Sequence, residues 1–450
     1  MSSLSVNIIG AGLAGSEASY FLAENGIRVM LHEMRPIKTT PAHKTDLCAE
    51  LVCSNSFKSL ANSSPSGMLK REMTLTGSLI LRCAGNVSIP GGEALTVDRG
   101  LFSKEVTMAI NSHPNITFIK SEVTDPSHFE SNGDITLIAT GPLTSEKLSR
   151  WIADEMEYPG LYFFDAIAPI VSADTIDFSK AFMANRYGKG DEDAYVNCPL
   201  TEAEYYAFVN LLINGEKIEA KPFETINYFQ GCQPIEAIAA SGIDSLRFGP
   251  MKPTGLLDPK TGKKPYAVLQ LRPENKAKTA YNMVGFQTKL KYGEQARVFH
   301  AIPGLKDVEF LRYGSMHRNT YVCGPEVLSP DLSMKGHPKI YMAGQITGVE
   351  GYLESAACGL LAAIFIHQRL RRFPHNPPPA NTAMGTLLRH VTGGNVENYQ
   401  PSRIHFGLFD HNLFNGVSGA KRDRARALIA EQTIANYESW LKSGAECNSF

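Results

Sequence analysis

The chain has 450 residues, which at roughly 100–200 residues per domain points to two or three domains. Apolar residues make up 43% and charged ones 20%, with 22 Phe and 17 Tyr, which excludes a mainly disordered chain. Lys and Arg number 44 against 45 Asp and Glu, so a net charge of −1 carries no whole-protein signal for nucleic acid and leaves only local basic faces to look for.

In chain order, residues 6–33 read as one β-α-β unit. Val6–Ile9 is a short apolar strand and Gly10–Gly15 a glycine turn. Ser16–Asn25 is a helix with Ala18, Phe21 and Leu22 at helical spacing, stopped by Gly26. Ile27–Glu33 is the second strand. A Pro- and Thr-rich loop follows, then a helix-like stretch over Ala49–Ser59. Asp134–Thr140 reads as a strand ending in Ala139-Thr-Gly-Pro142. The middle third, about 150–320, is rich in Tyr, Phe and Pro, with β-like runs at Tyr266–Leu271 and Tyr281–Phe286. Lys339–Gly344 makes another strand and turn, leading into a small-residue helix over Ser355–His367. An amphipathic helix over Lys421–Leu441 closes the pattern. The expected fold is α/β: a Rossmann-like, discontinuous FAD-binding domain over 1–150 and 320–450, with a mixed α/β insertion domain over 151–319.

The glycines Gly10, Gly12 and Gly15 alone would be weak evidence, but they follow a strand and open a helix, where a dinucleotide fold needs them. Missing Cβ atoms at Gly10 and Gly12 let a pyrophosphate approach the backbone, and Gly15 lets the helix pack on the strand. Ala11, Leu13 and Ala14 belong to the same cofactor-binding turn, and free N–H groups at the helix start then face the phosphates. Glu33, at the end of the second strand, is placed to accept ribose hydroxyls. The motif does not separate NAD from FAD. Ile138–Pro142 and the later Gly344-Gln345 with Gly351-Tyr352 are similar to segments of FAD-binding folds and favour FAD. Tyr352 is a candidate to stack on a flavin or a base, beside the plainer reading of a packed core tyrosine.

The eight cysteines, at 48, 53, 83, 198, 232, 323, 358 and 447, show no C-x-x-C and no zinc spacing, so no metal is expected. The Met1-Ser-Ser-Leu-Ser start has no basic region, and the longest apolar stretch, near Cys358–Ile366, is about half of a roughly 20-residue membrane span. A cytoplasmic protein with reduced thiols and no membrane contact is expected. Cys53 and Cys232 sit among polar residues, Gly and Pro rather than in apolar runs. The residues alone leave a catalytic and a structural role open for each.

Longer strings settle the family expectation. Gly10-Ala-Gly-Leu-Ala-Gly-Ser-Glu-Ala18, Glu50-Leu-Val-Cys-Ser-Asn-Ser56, Gly231-Cys-Gln-Pro-Ile-Glu236, Phe248-Gly-Pro-Met-Lys-Pro253, Met316-His-Arg-Asn-Thr320 and Gly344–Tyr352 resemble the bacterial folate- and FAD-dependent tRNA (uracil-5-)-methyltransferases, the TrmFO family. The resemblance runs from about residue 5 to about 410. It implies methylation of C5 of the T-loop uridine in the tRNA T-arm, with carbon from 5,10-methylenetetrahydrofolate. It also implies FAD as the carrier of the methylene and of reducing equivalents, and NADH or NADPH as the reductant of the flavin. The family's two essential cysteines map onto Cys53 and Cys232. Uracil C5 is a weak nucleophile until a thiolate adds to C6 and converts the ring to an enolate. That role is assigned to Cys232, and removal of the C5 proton or protection of the flavin to Cys53.

His317, Arg318 and Asn319 suit folate carboxylates or RNA phosphate, as do Lys252 and Arg272. Candidate RNA contacts are Lys260, Lys263 and Lys264, Lys289 and Lys291, Arg369, Arg371 and Arg372, and Lys421, Arg422, Arg424 and Arg426. Two rivals keep similar chemistry. One is the related tRNA wobble-uridine enzyme, whose chains are longer and carry a different cysteine motif. The other is the same methylation on large-subunit rRNA, kept open by the divergent tail with Arg403 and His405. A flavin-bound RNA scaffold without turnover is the non-enzymatic alternative.

Overall fold

A computed structural model describes residues 5–157, 161–188, 194–218, 233–394, 396–409 and 420–448, and within these the side chains of 161–165, 317–318, 398, 420–423 and 444–448 are set aside. The fold is α/β. β1 (Ser5–Ile9) leads through the glycine turn into α1 (Leu13–Glu24) and on to β2 (Arg28–Glu33). β3 (Ile116–Lys120), β4 (Ile135–Ile138), β5 (Ser333–Met334) and β6 (His337–Met342) complete a six-stranded sheet in the order β5-β6-β4-β1-β2-β3. Only the β5–β6 pairing is antiparallel; the rest are parallel. β1 and β4 are apolar or buried nearly throughout, as parallel strands covered on both faces must be.

Register aligns the carboxyl ends of the strands. Ile9 stands opposite His32 on one side and Ile138 on the other, and Ile138 stands opposite Met342. The chain leaves β1 toward β2 and returns to its other flank as β4, so a crevice opens outside these ends, where open α/β sheets bind ligands. α2 (Tyr352–Arg371) is buried from Leu353 to Gln368 and lies against α1. The approach is close: a Cβ on Gly359 would lie 2.2 Å from the Ala14 carbonyl oxygen. The helix is longer than the expected Ser355–His367, beginning at Tyr352 after Gly351, so its first turn reaches the crevice.

A second core forms around an antiparallel sheet ordered Phe182–Met183, Val196–Leu200, Ala267–Pro273, Ala280–Met283, Ile170–Ser172, Phe310–Arg312. Its buried residues run from Val171 to Val308, whereas the first core draws on Val6–Ile152 and again on Val322–Trp440. Strands Leu161–Ile167 and Ser315–Tyr321 pair antiparallel and carry the chain into and out of the second core. The closing helix spans Ala420–Asn448, longer than its sequence pattern suggests.

One expected element is absent. Ala49–Ser59 is not helical; it is a loop ending in a short strand, Ser56–Ser59, paired with Ala94–Val97. Ala49 and Lys58 have φ of +50° and +66°, outside the right-handed helical region. The carbonyls of Leu51 and Val52 are taken by Arg99 and Arg312, so they are withheld from a helical ladder.

Candidate functional site

The glycine turn is built from three different close approaches. Gly15 permits helix packing: a Cβ there would sit 1.8 Å from the Gly10 carbonyl oxygen. Gly10 has φ of +101°, and its Cβ would meet the carbonyl oxygen of Ala139, just past β4, at 2.7 Å, so packing alone already requires glycine here. Gly12 is the residue that faces open space, with no protein atom within 4 Å of an added Cβ. It lines a cleft enclosing about 990 Å³, partly open to solvent, together with Gly10, Leu13, Ala14, Glu33, Gly344, Gln345 and Tyr352. Ala11 lies beneath, fully buried, and donates its N–H to Glu33 Oε2 at 3.0 Å. Glu33 is also held by the Arg35 backbone N–H and Nε, at 3.0 and 2.9 Å. Burial pushes its carboxyl upward, but the hydrogen bonds and charge of Arg35 outweigh this and hold it below the ordinary range. It remains an anion with oxygen lone pairs left for ribose hydroxyls.

A second cleft, about 1450 Å³ including its solvent-open mouth, adjoins the first and shares Val52, Pro142, Leu143, Gln345 and Tyr352 with it. Its wall contains Cys53, Lys58, Arg272, Asn319, Gly351 and Arg403. Cys53 lies where the two cores meet. Tyr352 reaches across from the start of α2, and its hydroxyl oxygen accepts the N–H of Cys53 at 2.7 Å and of Ser54 at 3.1 Å. The same oxygen is 3.0 Å from Cys53 Sγ. Burial, and then charge at Cys53, push the Tyr352 phenol well above its ordinary value, so it keeps its proton. With its oxygen accepting twice, that proton is directed at the sulfur.

Two arginines complete the setting. Arg99 Nη1 donates to Leu51 O at 2.5 Å while its Nε holds Glu274 at 2.8 Å. Arg312 Nη1 donates to Val52 O at 3.0 Å. Burial, followed by repulsion from Arg99, lowers Arg312 to about 10. Both guanidinium charges act favourably on negative charge at Cys53. The loop is therefore clamped one and two residues before the thiol by cations that favour its thiolate. The other described cysteines, at 48, 83, 198, 323 and 358, are buried, and burial raises all five thiols.

Of the residues read from sequence, Arg272 and Asn319 reach the Cys53 cleft, and Arg272 Nε is tied to Asn55 at 3.0 Å. Lys252 is exposed on a turn of the second core and lines neither cleft. Cys232 lies outside the described residues, as do the side chains of His317 and Arg318. Arg99, Arg312 and Lys58 carried no sequence signal. Lys58 lines the cleft and pairs with the buried Glu354 at 2.6 Å.

Several basic candidates are occupied within the protein. Lys260 donates to the carbonyls of Phe178 and Ser179, and Lys291 pairs with Glu216 at 2.8 Å. Arg369 and Arg371 cap the carbonyls of Pro338 and Asn25. Lys421 and Arg422 side chains lie outside the described residues, and Arg426 lies 5.2 Å over the Phe406 ring. Among the described residues no cluster of His, Cys, Asp and Glu is arranged to hold a metal ion, and no helix is long and apolar enough to cross a membrane.

Comparison with known proteins places these features. The family model for GIDA, glucose inhibited division protein A, matches residues 5–374. The methylenetetrahydrofolate--tRNA-(uracil-5-)-methyltransferase TrmFO of Koribacter versatilis is 49% identical over 442 residues, covering 97% of this chain and 98% of the relative. The protein of the same name from Moorella thermoacetica is 49% identical over 443 residues, covering 98% of each chain. Among solved structures, Aquifex aeolicus GidA in its form I crystal aligns with a TM-score of 0.67 at 17% identity, over 97% of this chain and 76% of that one. That likeness concerns the fold.

Proposed function

Because the chain belongs to the TrmFO family, matched along nearly the full length of both partners, we propose that it methylates C5 of a uridine in tRNA with a carbon from methylenetetrahydrofolate. FAD is the flavin of this reading, and the glycine cleft fits it. The open space over Gly12 admits a pyrophosphate, the start of α1 offers unpaired N–H groups, and Glu33 stands ready for ribose. FAD bound there supplies the carrier and redox chemistry, with NADH or NADPH as the outside reductant. The T-loop uridine is the target and the cytoplasm the compartment.

The observation that carries the reading is the position of Cys53, in the second cleft but fastened to Tyr352, which lines both. A uracil lying in that cleft has its edge beside a sulfur whose loop is held by two guanidinium groups. Such a thiolate can take the C5 proton after Cys232 has added to C6 and C5 has bonded the methylene carbon. Tyr352 holds the sulfur in place and shares its proton with it; Arg272 and Asn319 offer donors to the uracil carbonyls or the ribose-phosphate. The length match supports a TrmFO-type substrate over that of the longer wobble-uridine enzymes.

The test is transfer of label from methylenetetrahydrofolate to an unmodified tRNA transcript in the presence of NADH. Labelled 5-methyluridine in the T-loop is expected. A colourless protein, or no label in tRNA with every substrate present, would refute the proposal.

A further inference from the structure

The Phe248-Gly-Pro-Met-Lys-Pro253 segment contributes to neither cleft, yet it is held firmly. Met251 is fully buried in the second core; its N–H bonds to Leu246 O at 2.8 Å, and its carbonyl accepts the Val268 N–H at 3.1 Å. Pro250 packs where Gly285 has no side chain, with a Cβ there only 3.0 Å from Pro250 Cβ. Gly285 lines the Cys53 cleft, so the turn stands at the rim of the site. On this fixed base Phe248 is 80% exposed, the most exposed large apolar side chain among the described residues.

The other end of the turn carries a second ring. Tyr187 donates its N–H to Gly255 O at 2.8 Å, and Arg186 Nη1 reaches Thr254 O at 2.8 Å. A Cβ on Gly255 would lie 3.0 Å from Cδ2, Cε1 and Cε2 of Tyr187 together, so the glycine backbone lies against the flat face of the ring. Tyr187 is 65% exposed, which leaves the opposite face of its ring to solvent. Tyr187 also has φ of 60° and ψ of 17°, a left-handed backbone that residues with a side chain disfavour. Neither the exposure nor the strain serves the core, and such strain persists where the surrounding structure enforces it, often for function. Lys252 on the turn is exposed, as are Lys263 and Lys264 further along the chain, and none of the three forms an ion pair among the described residues.

We propose that the Phe248–Gly255 turn, with Tyr187 laid upon it, is a stacking platform for unpaired nucleotides of the RNA substrate that flank the uridine in the Cys53 cleft. The proposal rests on the tRNA reading above and names where the RNA is gripped outside the reacting base. Two aromatic side chains open to solvent, on a turn that also carries the exposed Lys252, match a base and its phosphate together. A dry protein interface would instead deplete lysine from its centre.

The experiment compares Tyr187→Ala, Phe248→Ala and the aromatic replacements Tyr187→Trp and Phe248→Trp in the full-length, FAD-loaded protein, with binding of unmodified tRNA transcript measured by filter retention. Each Ala variant should weaken binding about 5- to 100-fold, the range for losing one base–aromatic stack. The Trp variants should bind like the parent. FAD content and melting temperature serve as controls of folding. Lys252→Gln should lower the slope of log affinity against log salt by about one unit, whereas Tyr187→Ala should leave that slope unchanged. Parent-like binding by both Ala variants would overturn the platform, as would parent-like binding by Tyr187→Leu and Phe248→Leu, since an aliphatic side chain offers no stacking face. A parent protein that neither binds nor methylates tRNA would instead sink the functional reading, and the platform with it.

Discussion

Replacing Gly12 by Ala is expected to release FAD while leaving the polypeptide folded. Gly12 has φ of −72° and ψ of −167°, a backbone open to any residue, and an added Cβ meets no protein atom within 4 Å. The cost to the fold is the small difference between Gly and Ala at the cap of α1, about 1 kcal/mol or less. The methyl group instead occupies the space over the helix start, where the pyrophosphate must lie against backbone N–H groups. Two charge-assisted hydrogen bonds lengthened beyond use represent about 3–6 kcal/mol, or roughly a 10²- to 10⁴-fold weaker FAD affinity. Gly15→Ala behaves oppositely: its Cβ would sit 1.8 Å from Gly10 O, so the turn cannot close on β1 and soluble protein should be lost. Absorbance near 450 nm per polypeptide, FAD titration of the stripped protein and thermal unfolding followed by circular dichroism separate the two cases. FAD affinity in Gly12→Ala equal to that of the parent would refute the reasoning, as would an unchanged melting temperature in Gly15→Ala.

Further outcomes follow from the same geometry. Tyr352→Phe removes the acceptor of two backbone N–H groups and the donor to Cys53; a misplaced thiol should lower methyl transfer at saturating tRNA by about 10²-fold, and an unchanged turnover rate would show that the hydroxyl is idle. With RNA bearing 5-fluorouracil, Cys53→Ala should still form the covalent adduct and Cys232→Ala should not; the reverse result on denaturing gels exchanges their roles. Burial raises Glu17 to about 7 and Glu72 to about 8, above their unfolded value near 4.5, so both fold as neutral acids. Their contribution to stability is complete below pH 4.5 and is lost as pH rises through 7 and 8. Melting temperature should therefore fall across that window, with a shallower slope in Glu72→Gln; parallel slopes would count against a neutral Glu72.

The β1-α1-β2 unit was legible because each part rests on neighbours in the chain: an apolar strand, a Gly15 that must touch the turn before it, and a helix stopped at Gly26. The same locality made the strands near Ile135 and Ile340 readable, since parallel strands covered on both faces are continuous apolar runs. The stretch from Ala49 to Ser59 misled for the opposite reason. Its residues favour a helix moderately, but arginines 48 and 260 positions away claim its carbonyls, and a tyrosine 299 and 298 positions away claims its amides. That packing by itself demands glycine at position 10 was not readable, because the atom that meets its Cβ is the carbonyl oxygen of Ala139, just past β4, a strand paired with β1 only after folding. The chain's own order thus determined the nucleotide-type turn, the α/β class and the presence of two thiols in polar settings. Where Cys53 stands, what charges surround it, and that one phenol joins its cleft to the glycine cleft were decided by packing between distant segments, because hydrogen bonds and Coulomb forces act through space and leave no period in the sequence.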